Sequence, residues 1–283
     1  MRTHIIVLLL MLPLNMAGQA IEEMTYNIRC GECDNHNTNN WDSRKTLVLS
    51  VIQKNDPDII GFQEMIPAQL EYLSNQLTSY SYYGTGREAD GSGEGCYIFY
   101  KKDKFSLDSL HSGTKWYSST PEIPGSNDWG DIYKRIVSYA RFRIKSNNQY
   151  FYLFNTHLTY IDSLQIKYVN FLISLIKSRH PSDPFILTGD FNADEASAAI
   201  LHLKMSFPAD EIVDTYREIV PNEKISTFNN FSDVRDSRKI DYIFAEGKRF
   251  KTLSAQCDTT TFEGKYPSDH FALTATLELK IQK

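Results

Sequence analysis

The chain has 283 residues, a formal net charge of −5, and 41% hydrophobic and 23% charged residues. That balance excludes a disordered chain, and the acidic sum argues against a protein that grips duplex nucleic acid through an overall basic surface. Beyond the N-terminus no run approaches the ~18 consecutive apolar residues of a spanning helix, which excludes a multi-span membrane protein.

Residues 1–20 read as a secretory signal peptide. Arg2 supplies the positive start, Ile5–Leu12 the apolar centre, and Ala17-Gly18-Gln19-Ala20 small residues for cleavage. The expectation is a secreted or periplasmic protein whose single domain, 21–283, has no stable membrane insertion and no predicted protein partner. Export permits disulfides among Cys30, Cys33, Cys96 and Cys257. The Cys30-Gly31-Glu32-Cys33 spacing suits a local disulfide, or free thiols, better than a redox centre, because no thioredoxin-like pattern follows. No second Cys or His pair stands at zinc-site spacing.

In chain order, a strand is expected at Glu22–Arg29, then a helix over Asp42–Asn55 with Leu47, Val48, Val51 and Ile52 on one face. Asp56-Pro57 ends that helix, and a short buried strand follows at Asp58–Gln63. Further strands are expected at Gly95–Tyr100, Ile136–Ile144 and Tyr150–Asn155, the last two as an antiparallel hairpin. A helix over Ile161–Ser178 repeats Leu164, Tyr168, Phe171, Leu172, Leu175 and Ile176, with Pro181 beyond it. Strands at Phe185–Thr188, Ile240–Ala245 and Phe271–Leu279 complete the pattern. Hairpins mixed with strand–helix–strand units predict sheets packed face to face with helices outside. The stretch Trp116–Gly125, continuing to Trp129, is expected either to present aromatics to a substrate ring or to pack them beneath a Pro-braced loop.

Polar residues interrupt the ends of these strands. Tyr26-Asn27, Phe62-Gln63-Glu64, Asn155-Thr156-His157 and Gly189-Asp190-Phe191-Asn192 follow strands, whereas Ile240-Asp241-Tyr242 and Ser268-Asp269-His270 precede them. In a mixed sheet, strand ends lie beside the starts of antiparallel neighbours, so these segments can meet along one edge. Glu64, Asp190, Asp241 and Asp269 crowded there would repel one another. A hard divalent cation relieves such repulsion, and oxygen-only donors favour Mg²⁺, with Mn²⁺ the alternative. A histidine beside a carboxylate, as His270 is, can carry a proton or stabilise negative charge.

These motifs, in this order over roughly residues 22–279, resemble the endonuclease/exonuclease/phosphatase superfamily, in an exported bacterial form. The resemblance implies a four-layer α/β/β/α sandwich of two mixed, mainly antiparallel sheets. It implies Glu64, Asn27 and Asp269 as metal ligands, and Asp190 as the residue that aligns or deprotonates water. Asn192 is implied to orient the phosphate, and His270, held by Asp241, to contact a phosphate oxygen. His157 with Glu94 is implied as a second His–carboxylate pair, and Arg135 as a phosphate clamp. Arg87, in the Gly-rich stretch Gly84-Thr85-Gly86-Arg87 whose backbone can approach a ligand closely, is a further phosphate candidate, with a solvated loop charge as the alternative. The expected activity is metal-dependent hydrolysis of a phosphoester by direct water attack, favoured as a phosphodiesterase or nuclease. The alternatives are a phosphatase or phosphodiesterase of a small phosphorylated molecule or lipid headgroup, and a non-catalytic binding module.

Overall fold

In chain order the elements are β1 (Ala20–Asn27), α1 (Trp41–Asn55), β2 (Ile59–Gln63), α2 (Pro67–Gln76), β3 (Tyr80–Tyr83), β4 (Ile98–Lys101), β5 (Phe105–Trp116), β6 (Ile136–Ile144), β7 (Tyr150–His157), α3 (Asp162–Lys177), β8 (Phe185–Asp190), α4 (Ala198–Met205), β9 (Val213–Asp214), α5 (Thr215–Ile219), β10 (Asp241–Ala245), β11 (Phe250–Asp258) and β12 (Ala272–Leu279). The computed structural model describes residues 20–179, 183–208, 211–233 and 238–280. Apart from Ala20, the expected signal peptide lies outside the described residues, as does Pro181.

Two six-stranded sheets form, ordered β11-β12-β1-β2-β4-β3 and β5-β6-β7-β8-β10-β9. Each is antiparallel except for one parallel pair, β1–β2 in the first and β7–β8 in the second. The expected sandwich is therefore observed, and β6–β7 is the expected hairpin. The parallel pairs follow from the sequence: α1 bridges β1 to β2 and α3 bridges β7 to β8, as a crossover must.

Periodicity assigns the layers. Val48, Val51 and Ile52 of α1 and Leu73 of α2 pack on Met24, Tyr26, Ile60 and Phe62 on the outer face of the first sheet. Tyr168, Leu172 and Ile176 of α3, with Ile200 and Leu203 of α4, cover Phe154, Leu187 and Phe244 of the second. Between the sheets lie Ile21, Ile59, Phe142, Phe151, Leu153, Ile186, Ile243 and Leu277. Asn40 caps α1 by accepting from the Ser43 amide, and Asp56 ends it in the left-handed conformation immediately before Pro57.

The expected strands correspond to β1, β2, β4, β6, β7, β8, β10 and β12, all interior to their sheets. Those not anticipated, β3, β5, β9 and β11, are the edges. Edge strands bury less side-chain surface, so β5 and β11 read as polar segments without clear alternation. The aromatics of the 116–129 stretch pack beneath their loop: Trp116 and Tyr117 are buried, and Trp129 packs on Tyr117, Tyr168 and Phe171.

Candidate active site

The parallel pairs build the site. Asn27 is in register with Gln63, so Glu64 leaves the sheet beside it, and His157 is in register with Asp190. Antiparallel β10 sets Asp241 opposite Asp190. Because β12 runs antiparallel to β1, the residues before it arrive next to Asn27, and the Ser268 hydroxyl donates to the Asn27 carbonyl at 2.7 Å. Two glycines let these elements close up. A Cβ on Gly61 would lie 2.4 Å from Thr188 Oγ1 of the other sheet, and one on Gly189 would lie 2.1 Å from the Thr156 carbonyl oxygen. Glu64 (φ 61°) and Asn192 (φ 49°) both adopt the left-handed backbone conformation, an uncommon one for non-glycine residues that is concentrated at functional sites.

Asn27 joins the two half-sites. Its Nδ2 donates to Glu64 Oε1 and to Asp190 Oδ2, each at 3.0 Å. Glu64 Oε2 accepts from the Cys30 amide at 2.9 Å, and a Cys30–Cys33 disulfide closes that turn. Asp269 lies 3.5 Å from Arg29 Nη1, and Arg29 also pairs with Asp34. Asp190 Oδ1 accepts from the Asn192 amide at 2.8 Å. His270 Nδ1 lies 2.9 Å from Asp241 Oδ2, and its Nε2 lies 3.7 Å from Asp190 Oδ2.

Electrostatics separates these groups by role. Burial and the Asp241 charge push the Asp190 carboxyl up to about 7. Burial opposes a charged Glu64, yet hydrogen bonds from Asn27 and Cys30 hold it below the usual carboxylate range. Burial likewise opposes a charged His270, but Asp241 and Asp190 outweigh it and hold the ring well above its ordinary value, as imidazolium. His157 goes the other way: burial and then Arg135 keep it neutral. Its Nε2 lies 3.0 Å from the side-chain nitrogen Nδ2 of Asn192, which makes Nε2 the acceptor.

A metal fits this donor set. Glu64, Asp190 and His157 can each bring a ligand atom within 4.8 Å of the others. Buried Asp190 and half-buried Glu64 share one neutral amide, and the negative charge they concentrate is one that a hard cation balances. Asp190, Asp241 and His270 form a second such group, but there the carboxylate already pairs with imidazolium. Asp269 joins neither triad and sits beside them against Arg29.

A cleft of about 550 Å³ opens over these residues. Arg135 lines it with its guanidinium buried, and its Nε has no hydrogen-bond partner among the described residues. Glu94 departs from expectation. It does not pair with His157; both its oxygens accept from Arg87, at 2.7 and 2.9 Å. Arg87 and Glu94 lie on neighbouring segments of the Gly-rich loop, so each is the other's nearest counter-charge. Sequence reading missed Arg29, although it stands in Tyr-Asn-Ile-Arg, and the half-exposed Tyr133 and Tyr160 on the cleft wall. A lone aromatic in a loop carries no periodic signal.

A model of the endonuclease/exonuclease/phosphatase family matches residues 24–270. The chain belongs to that family. Members of that family are metal-dependent phosphoester hydrolases. Among solved structures, an endonuclease/exonuclease/phosphatase from Bacteroides vulgatus is 30% identical, with a TM-score of 0.83 over 93% of this chain and 100% of that one. A mannosyl-6-phosphatase of Bacteroides thetaiotaomicron is 28% identical, with a TM-score of 0.79 over 91% of this chain and 99% of that one. Drosophila melanogaster Nocturnin is 27% identical over 84% of this chain and 42% of its own length. A protein of Acanthamoeba polyphaga mimivirus is 31% identical over 56% of this chain and 62% of its own length. The chain thus spans less than two thirds of these curated relatives.

Proposed function

We propose that this family member hydrolyses phosphate esters of small, ring-bearing polar molecules, with sugar phosphates the first class to test. The observation that carries the reading is Arg135, a buried guanidinium with no carboxylate partner among the described residues, facing the same cleft as Asp190 and His270. Such a group is held at a cost in stability and finds its counter-charge in a substrate phosphate. The cleft has the volume of a small-molecule site, and its wall carries Tyr133, Tyr160, Phe228 and Phe231. The near full-length match to a mannosyl-6-phosphatase supports the same class. Half-exposed tyrosines also suit a nucleobase, so hydrolysis of nucleic acid is the second reading; the net charge of −5 weighs against a long polyanion.

In this reading Glu64, with Asn27 and Asp269 near it, holds Mg²⁺, which when bound offsets charge on the phosphoryl and leaving oxygens. Asp190 accepts the proton of the attacking water, and the 2.8 Å bond from the Asn192 amide aims its carboxylate. Protonated His270, steadied by Asp241, donates to a phosphoryl oxygen as negative charge grows, and Arg135 forks onto another. Neutral His157 accepts from Asn192 Nδ2 and so orients that side chain. Export is part of the proposal, supported by the apolar leader and by a disulfide suited to an oxidising compartment.

The test is Mg²⁺-dependent release from mannose 6-phosphate, glucose 6-phosphate, an aryl phosphomonoester, an aryl phosphodiester and single-stranded RNA, with Glu64→Ala as control. Turnover of hexose phosphates that is lost in Glu64→Ala is expected. Turnover confined to RNA would replace this reading with the second.

A further inference from the structure

We propose that Tyr133 is a positioning residue for phosphate: its ring seats the guanidinium groups of Arg135 and Arg87, and through them fixes where the phosphoryl oxygens bind. The role of Arg135 rests on the function proposed above, but the geometry of the brace stands apart from it.

The Tyr133 ring centroid lies 5.7 Å from Arg135 Cζ and 5.2 Å from Arg87 Cζ. A guanidinium packed on an aromatic face is attracted by the ring quadrupole, yet keeps its in-plane N–H groups free to fork onto an anion. This matters most for Arg135. Its side chain makes no hydrogen bond and no ion pair within 4.0 Å among the described residues, so packing must define its position. Arg87 differs, because Glu94 already holds it from one side.

Tyr133 is itself held from below. Its amide donates to Asp131 Oδ1 at 3.0 Å, and Asp131 Oδ2 accepts from the Tyr168 hydroxyl of α3, also at 3.0 Å. Tyr168 stacks on Tyr117 with ring centroids 4.5 Å apart. The buried aromatics of the 116–129 stretch are thus the footing of the brace, and Tyr133 is its exposed end. The Tyr133 hydroxyl has no partner among the described residues, so the ring is the working part.

The experiment measures binding of inorganic phosphate to the full chain in Mg²⁺ by calorimetry, for wild type, Tyr133→Ala, Tyr133→Phe, Arg135→Ala and the Tyr133→Ala/Arg135→Ala double variant. KM for the preferred ester is read alongside. Tyr133→Ala is expected to weaken phosphate by about tenfold and raise KM in parallel, while Tyr133→Phe restores affinity to within about twofold. In the Arg135→Ala background the Tyr133→Ala effect shrinks to about threefold or less, because the ring acts through that arginine. A tenfold loss that persists there would mean that the ring does not act through Arg135, and would overturn the proposal. So would Tyr133→Phe binding as weakly as Tyr133→Ala, no effect of Tyr133→Ala, or no phosphate binding by wild type. If hexose phosphates are not hydrolysed while phosphate binds, the functional reading fails and the cycle still decides Tyr133.

Discussion

Gln63 donates a 2.7 Å hydrogen bond to Asn155 across the gap between the two sheets. Gln63 immediately precedes Glu64, and Asn155 shares its strand end with His157, so this bond bolts one half-site to the other. Asn155 Nδ2 then donates to the Phe62 and Tyr97 carbonyls, at 2.8 and 3.1 Å, and Gln63 also donates to Thr25. Truncation by Asn155→Ala strands several buried polar groups. It is expected to cost about 2–4 kcal/mol in urea unfolding and to weaken Mg²⁺ binding. Unchanged Mg²⁺ affinity in a measurably destabilised variant would limit the network to folding.

Arg135 separates stability from activity. Replacing it with Met removes a buried cation that is unpaired among the described residues but keeps much of its volume. Thermal unfolding should occur at an equal or higher temperature, because desolvation of the charge is relieved. Loss of the phosphate contact should lower kcat/KM by about 10²–10³-fold. Thermal scans beside steady-state kinetics check both, and a lower melting temperature with intact activity contradicts the assignment.

The pH profile carries a sign that can be checked. In the proposed mechanism Asp190 must be ionised to take the proton of the attacking water, and burial with Asp241 pushes its carboxyl up to about 7, so activity is expected to fall on the acid side as that group protonates. A bound cation moves this limb lower. His270 must be protonated; Asp241 and Asp190 hold it well above its ordinary value, so activity falls on the alkaline side as pH rises through that raised value. Asp241→Asn removes a charge that raises both groups, and both limbs should therefore move to lower pH. The profile of kcat/KM at saturating Mg²⁺ tests this, and limbs moving in opposite directions would break the assignment.

The Cys30–Cys33 disulfide fixes the turn whose amide holds Glu64 Oε2 and whose neighbour Arg29 meets Asp269. Cys33→Ser loosens that turn, and Mg²⁺ affinity is expected to fall about tenfold, as when an outer partner of a metal ligand is lost. Isothermal titration of wild type with reductant should reproduce the loss, whereas reductant should leave Cys33→Ser unchanged.

The interior of this fold is legible in local sequence pattern. Strands such as β2 and β8 are buried on both faces and read as apolar runs ending in Glu64 and Asp190, and α1 and α3 show helical periodicity because one stripe of each meets a sheet. Their positions at strand ends in a mixed sheet lead Asn27, Glu64, Asp190, Asn192, Asp241, Asp269 and His270 to be expected at a common edge. Tertiary structure decided what no local pattern encodes. Edge strands β3, β5, β9 and β11 exist because a neighbour completes their hydrogen bonding, not because their own residues demand it. Glu94 turned to Arg87 rather than His157 because ion pairing depends on loop geometry. Tyr133, one aromatic among many in the chain, gained its place between two guanidiniums only when α3 and the 116–129 stretch packed beneath it.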